Sequence, residues 1–431
     1  MAAGYGRPVM GGMRTGLRLL ILCPHYAPDV APTGEVMTSI VEGLADLGHR
    51  MHVVTALPWY LHHAVEPDWT GQVLHHADTS WGRITRVHPF PTDKRNIPAR
   101  AVGFAGFTGL AALAGVLSRS RPDAVLAMSP PLTLGPAGLA VARARRVPFV
   151  FNIQDVFPDV AVELGMLTDR RVIAVASWLE RATYQAADAV TVLSNDLRDN
   201  VAAKIAGRHG GDPAKVRVIP NFVDTARIRP GERENAYRRE HGLSGKTVVM
   251  YAGNVGFSQS LDLVLAAASA FIDEPSVVFV INGGGSARPA LEQRASGLPN
   301  VRFVDMQPKA RLPELLAAAD VHVVPLKRGL ARSSVPSKTY SILASGRPVV
   351  ASVDPGTEVA RTIEDAGAGL AVAPDDPEAF TKALRRLVES PAEAAAMGES
   401  GRRWVEHWAS PAAVAGAYET LFSELVGAKR R

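Results

Sequence analysis

The residues best equipped for chemistry lie between positions 320 and 351. A short β-branched run, Val321 to Val324, ends at Pro325 and opens into a loop carrying Lys327, Arg328 and Arg332. Pro336 suits the first turn of a helix, where its missing N–H loses no partner. Ser337, Lys338 and Thr339 then fall in that turn, and Gly346 with Pro348 ends the helix before the next strand. Cationic side chains and free helix N–H groups thus gather at the C-terminal end of a strand. An open α/β sheet receives its ligand there, and phosphate is the charge such a place favours. The competing reading of the same stretch is a solvated basic loop.

Three further stretches have the same placement. A strand at 247–251 leads into Ala252-Gly253-Asn254-Val255-Gly256-Phe257-Ser258-Gln259 and then a helix at 261–271, a turn whose backbone N–H groups can cradle an anion. Gly283-Gly284-Gly285 follows a strand at 277–282 and permits close approach of a flat or bulky group. Gln154 and Asp155 follow a strand at 149–153. Gln154 can hydrogen-bond a hydroxyl but cannot act as a base. Asp155 either orients a hydroxyl or caps the helix that follows.

The elements that hold these loops alternate strand and helix throughout. The chain opens on a continuous apolar strand at 17–23, a loop at 24–34, a helix at 35–47 and a strand at 52–56, a βαβ unit. Gly34 at the helix start lets a backbone come close, and the absence of a GxGxxG run weakens a nicotinamide-type reading. His25, alone in its loop, carries little catalytic information. Residues 57–92 hold Trp59, Tyr60, His62, His63, Trp69, His75, His76, Trp81 and His88 without metal-ligand spacing, which favours an acceptor-side loop over a metal site. Residues 101–117 carry no charge, between Lys94, Arg95 and Arg100 on one side and Arg119 and Arg121 on the other. A core helix, a shallow membrane-docking helix and a true span all stay open there.

The totals allow two domains in 431 residues, with 47% hydrophobic and 21% charged residues. The domain expectation is a disordered tail at 1–16, a Rossmann-like domain at 17–224, a linker with a short surface helix at 225–246, a second Rossmann-like domain at 247–410 and a final helix with a basic tail at 411–431. A net charge of +5 does not call for nucleic acid; anionic lipid or a diphosphate is the better-motivated partner. Cys23 is the sole cysteine, so no internal disulfide forms and a reducing compartment is the natural setting. Residues 1–16 contain no long apolar run of a signal peptide.

The wording Pro336-Ser337-Lys338-Thr339-Tyr340, with Leu343-Ala344 and Gly346-Arg347-Pro348-Val349, resembles the donor-binding segment of glycosyltransferase family 4. It is most similar to the bacterial exopolysaccharide and O-antigen branch that includes the N-acetylfucosamine transferases. Gln154-Asp155-x-x-Pro158-Asp159 and Pro220-Asn221-x-x-Asp224 match that family as well. The resemblance implies a GT-B fold, two doubly wound parallel-sheet domains facing across a cleft. It implies a retaining glycosyltransferase moving a sugar from a nucleotide-diphosphate sugar, UDP favoured, to a saccharide or a polyprenyl-diphosphate-linked acceptor. The setting it implies is cytoplasmic, with peripheral contact at the inner membrane face through 94–121. It implies that Thr33 and Gly34 face the transferred sugar and leaving diphosphate, and that Gln154 stands where many relatives carry His. Asn254 and Gln259 stand where most relatives carry Arg and Lys, which leaves Lys338 with Arg328 or Arg332 to neutralise the diphosphate. Met306 and Gln307 fall where the base stacks. The family's Glu-x7-Glu pair falls on Ser333 and Ser341, neither of them acidic. No cofactor or metal is expected, and no carboxylate pair is placed for a double displacement. Two rival readings are a sugar-nucleotide isomerase or hydrolase on the same fold, and a non-catalytic nucleotide-sugar binder.

Overall fold

The computed structural model describes residues 16–91, 97–163, 167–206, 211–256, 258–329 and 338–431. The chain parts into two compact units. One comprises the residues up to Asn152 with Ala186–Ala189 and Tyr418–Arg431; the other comprises Ile153–Gln185 and Val190–Ala417.

The chain begins β1 (Arg18–Leu22), α1 (Pro32–Asp46), β2 (Arg50–Ala56), β3 (Leu74–Thr79), β4 (Gly82–Val87) and α2 (Ile97–Leu117). It continues β5 (Ala124–Ser129), α3 (Leu134–Arg145), β6 (Phe149–Ile153), α4 (Asp159–Glu163), α5 (Arg170–Ala186), β7 (Ala189–Val192), α6 (Asn195–Ala206) and β8 (Val216–Val218). These strands form one sheet in the order β3-β4-β2-β1-β5-β6-β7-β8. β1 pairs in parallel with β2 and β5, and Leu19 to Leu22 are at most 2% exposed. A central strand covered on both faces has no polar side, so its sequence reads as an unbroken apolar run.

Two expectations for this half need correction. The segment at 57–92 is not simply a loop: β3 and β4 form an antiparallel hairpin at the sheet edge, with Leu74 opposite Val87 and Asp78 opposite Arg83. His and Asp are weak strand formers, and here cross-strand partners on β4 supply what propensity lacks. The run at 101–117 lies in α2, half packed and half open. Phe107 and Ala111 are buried and Gly115 lies against Val141 of α3, whereas Val102, Leu113 and Leu117 are exposed. Among the described residues no helix is long and apolar enough to cross a membrane.

The second half runs α7 (Ala236–Glu240), β9 (Thr247–Ala252), α8 (Asp262–Ala270), β10 (Val277–Asn282), α9 (Arg288–Arg294), β11 (Val301–Val304), α10 (Leu312–Ala317) and β12 (Val321–Pro325). It ends α11 (Lys338–Ala344), β13 (Val349–Ser352), α12 (Glu358–Ala366), β14 (Gly369–Val372), α13 (Pro377–Glu389), α14 (Pro391–Trp408) and α15 (Pro411–Arg430). The sheet is parallel, in the order β11-β10-β9-β12-β13-β14. Period-two alternation divides its core: Val248 and Met250 join one apolar cluster, Val249 and Tyr251 the other. Trp404 packs against the first cluster and stacks on Tyr340. The short helix α7, expected on the surface, is anchored instead. Tyr237 is fully buried with its hydroxyl donating to Asn282 Oδ1 (2.9 Å), and Arg238 bonds Asp320 (2.6 Å).

Strand order reverses between β1 and β5 in the first sheet and between β9 and β12 in the second. Crossovers leave on opposite faces at such a point, so the loops after these strands diverge and open a crevice.

Candidate functional site

The crevice after β9 and β12 is built from glycine turns and one amine. Gly253 N donates to Asn282 O (2.9 Å), Gly283 N to Val304 O (2.9 Å) and Val255 N to Gly284 O (2.8 Å), so the turns after β9 and β10 lie directly against each other. A Cβ on Gly283, whose φ is +148°, would stand 1.9 Å from Gly253 O. Any side chain there forces the two turns apart. Gln259 pairs with Leu326 in an isolated antiparallel bridge, which joins the loop after β9 to the loop after β12.

Lys338 opens α11 and reaches into this junction. Its Nζ donates to Gln259 Oε1 (3.0 Å) and Tyr251 OH (3.2 Å), and lies 4.5 Å from the centre of the Tyr251 ring. Tyr251 is fully buried and donates its own proton to Asn254 O (2.6 Å). Burial raises the Tyr251 pKa and lowers that of Lys338 to about 8. Among the described residues no carboxylate bonds the Lys338 amine; both hydrogen-bond partners are neutral. An ammonium partly shielded from water, with neutral acceptors only, is short of a counter-charge. A Cβ on Gly253 would lie 3.7 Å from that Nζ.

The other expected donor residues fall as follows. Asn254 and Gly256 shape the same turn as Gly253. Gly283 and Gly284 form the neighbouring one, tied to the end of β11 by Arg288, which donates to Gly283 O (2.7 Å) and Asp305 Oδ1 (2.7 Å). Met306 is 58% exposed just beyond β11. The Gln307 amide is engaged within its own loop, donating to Asp305 O (3.0 Å) and accepting from Arg311 (3.1 Å). Arg328 turns to Pro374 O (3.1 Å) and stays mostly exposed. Ser341 lies one turn past Lys338 and is partly buried. Arg332, Ser333 and Ser337 lie outside the described residues.

In the first unit, Gly34 sits in the first turn of α1. A Cβ there would stand 2.9 Å from His25 Cβ, so glycine lets the helix close on the loop after β1. His25 Nδ1 lies 2.6 Å from Asp29 Oδ2, and the ring stacks on Trp59 with centroids 5.5 Å apart. Arg86, buried, donates to the carbonyls of Tyr26, Ala27 and Ala56 and fixes the same loop.

At the end of β6, Gln154 is buried and Asp155 reaches solvent. Desolvation by the protein around it raises the Asp155 pKa. The second aspartate of this motif, Asp159, has a different task. Its carboxylate takes Lys204 Nζ (2.8 Å), which also bonds the buried Glu180 (2.8 Å), and this ties α4 to α5 and α6 below the loop.

Sequence reasoning passed over Tyr251, Asp29 and Lys204. Tyr251 reads as one more core residue of β9, and its hydroxyl acquires a role only through a lysine 87 positions later. The His25-Asp29 pair did leave a signal, an i,i+4 spacing in a Pro-rich loop.

Residues 33–221 match the family model described as Glycosyl transferase 4-like domain, and residues 246–390 match that described as Glycosyl transferases group 1. WcaI of Escherichia coli K12, named for glycosyl transfer in colanic acid biosynthesis, is 29% identical over 388 residues, spanning 87% of this chain and 93% of its own. Sucrose-phosphate synthase of Thermosynechococcus elongatus superposes with a TM-score of 0.68 at 18% identity, covering 95% of this chain and 100% of that one. Anabaena HepE in complex with UDP does so with a TM-score of 0.65 at 14% identity, again covering 95% and 100%. These likenesses establish the GT-B architecture. Two α/β domains that match the two family models in turn place this chain in the glycosyltransferases of the GT-B, family 4-like type.

Proposed function

We propose that the chain transfers a sugar, with retention at the anomeric carbon, from a nucleotide-diphosphate sugar to a saccharide or lipid-linked saccharide in cell-envelope or exopolysaccharide synthesis. The observation that carries this reading is the partly buried Lys338 amine with two neutral partners. It is a cation waiting beside a glycine turn for an anion of diphosphate size. Gly253, Asn254, Gly256 and Gln259 shape the phosphate cradle, with Gly283 and Gly284 behind it. Met306 and Gln307 border the nucleoside, and Ser341 stands one turn from the phosphate. Gly34, Gln154 and Asp155 serve the sugar and the acceptor hydroxyl. HepE was captured with UDP, which favours a uridine donor here. The WcaI name favours a polysaccharide product. The chain meets its acceptor at a membrane surface by peripheral contact through 94–121.

The proposed reaction needs no protein nucleophile. The acceptor oxygen bonds to the anomeric carbon on the face the diphosphate leaves, and the departing diphosphate oxygen takes the hydroxyl proton. Lys338 and the turn amides stabilise the charge that develops on that oxygen. A preformed cation does the work a divalent metal would otherwise do, so turnover persists in chelator. The test is a panel of UDP- and GDP-sugars given to wild type and Lys338→Ala, with nucleotide release and product anomer as readouts. One donor should support transfer with retention, and Lys338→Ala should lose it. Inversion at the anomeric carbon, or full activity in Lys338→Ala, would contradict the reading.

A further inference from the structure

The loops after β1 and β2 close on each other at the C-terminal ends of their strands, and one carboxylate joins them. The Asp29 side chain is 2% exposed and divides its oxygens between the loops. Oδ1 accepts from Tyr60 N (3.1 Å), and Oδ2 lies 2.6 Å from His25 Nδ1. A carboxylate can only accept, so Nδ1 carries the proton and the neutral ring keeps Nε2 as an acceptor. Nε2 has no partner among the described residues and is not sealed from water; the His25 side chain is 11% exposed. A ring held in one tautomer, with a lone pair to offer at a strand C-terminus, is equipped to read a hydroxyl.

Aromatic rings gather around it. His25 stacks on Trp59 with 27° between the planes and meets Tyr60 edge-on, with centroids 5.3 Å apart. His63 takes φ +52°, a backbone that histidine tolerates and a β-branched residue does not. Its ring meets both Trp59 (6.4 Å) and Tyr60 (6.1 Å). Trp59 is half-buried and Tyr60 is 39% exposed, so the cluster keeps aromatic surface open to solvent. Arg86, the cation that holds this loop, is committed to the carbonyls of Tyr26, Ala27 and Ala56. A phosphate here would face the Nε2 lone pair with Asp29 behind it, and both repel it.

Aromatic surface beside a neutral hydrogen-bond acceptor complements a ring with a C–H face and a hydroxyl edge. We propose that this cluster is the subsite for a neutral pyranose of the acceptor, stacked on Trp59 and Tyr60 with a non-reacting hydroxyl donating to His25 Nε2. The inference rests on the transferase reading above and names what is recognised in the acceptor: a sugar ring, not a lipid or its phosphate. His25 is then a specificity-determining residue, and Asp29 a positioning residue that acts by fixing the tautomer. A site built to bond a hydroxyl discriminates against a sugar that lacks it, because the polar group is then left unpaired.

The test is saturation-transfer NMR of the full chain with methyl pyranosides of glucose, galactose, mannose and N-acetylglucosamine in the presence of UDP, beside calorimetry of UDP and the UDP-sugars. At least one glycoside should bind wild type. His25→Phe, which keeps a ring on Trp59 and removes Nε2, should weaken that binding about threefold to tenfold, the worth of one hydrogen bond. His25→Gln, whose amide oxygen can accept in place of Nε2, should restore it; a role confined to anchoring the loop through Asp29 would fail in both variants. Binding by none of the glycosides, or equal binding by wild type and His25→Phe, overturns the subsite and leaves the transferase reading to stand on UDP binding. Equal loss in the Phe and Gln variants makes His25 a loop anchor and overturns it as well. Weaker binding of a UDP-sugar by His25→Phe, with UDP unchanged, assigns the ring to the transferred sugar and overturns the acceptor assignment. Glycoside binding without UDP binding overturns the transferase reading alone.

Discussion

Lys338 is the residue on which the account turns, and its titration gives a sharp expectation. Burial lowers its pKa from 10.5 to about 8. The ammonium form binds a diphosphate, so UDP affinity should be flat below pH 8. It should then fall about tenfold per pH unit above it, until the pKa of the complex is reached. The stability consequence has the opposite sign. Between about 8 and 10.5 the folded chain holds fewer protons than the unfolded one, so stability should rise with pH through that window. The strain of burying the charge is fully present below pH 8. Lys338→Met should therefore melt higher than wild type at pH 7, by about 1–3 kcal/mol, while losing UDP affinity. Calorimetric titration and thermal unfolding across pH 6–10 check both signs. A variant that melts lower at pH 7 would show that the amine stabilises the fold and is not held in reserve for a ligand. Lys338 stood out in sequence by its place after a strand, loop and proline, against the competing reading of a solvated basic loop. Its partner Tyr251 was not, because nothing local tells a core tyrosine from one whose hydroxyl orders a turn.

At the scale of elements, legibility followed how local the cause is. The apolar run of β1 and the glycine turns after β9 and β10 carry their own explanation, strand burial in one case and steric room in the other. The β3–β4 hairpin does not, because His75, His76 and Asp78 form a strand only when β4 is beside them. The same holds for α7, whose Tyr237 and Arg238 are fixed by Asn282 and Asp320 far along the chain. β12 carries a consequence of this burial. His322 is fully buried beside Leu316 O (3.0 Å), and desolvation lowers its pKa from 6.5 to about 4. The unfolded chain binds a proton that the folded one refuses, so stability should be complete above pH 6.5 and fall as pH drops toward 4. His322→Gln, which can still donate to the same carbonyl, should flatten that acid limb by about 1–3 kcal/mol. Denaturant melts at pH 4.5 and 7 measure it, and an unchanged acid limb would assign the loss to other groups, His52 among them.

At the scale of the whole molecule, two α/β domains were legible from the alternation of strand and helix and their GT-B type from the family resemblance; the order of strands was not, since it depends on which pairs form. The chain end illustrates this. From Tyr418 on, α15 belongs with the first unit, where Phe422 is fully buried and Tyr418 OH accepts from Asn152 (2.9 Å). Phe422→Ala should cost about 3–5 kcal/mol and destabilise that unit, while UDP binding at the second sheet persists below the new melting point. Loss of UDP binding in the folded variant would mean that the two are coupled. The most direct test of the central claim is calorimetric titration of UDP into wild type and Lys338→Ala at pH 7. The account predicts binding by wild type and a loss of at least about tenfold, near 1.4 kcal/mol, in the variant. Equal affinity in the two proteins would contradict it and remove Lys338 from the phosphate site.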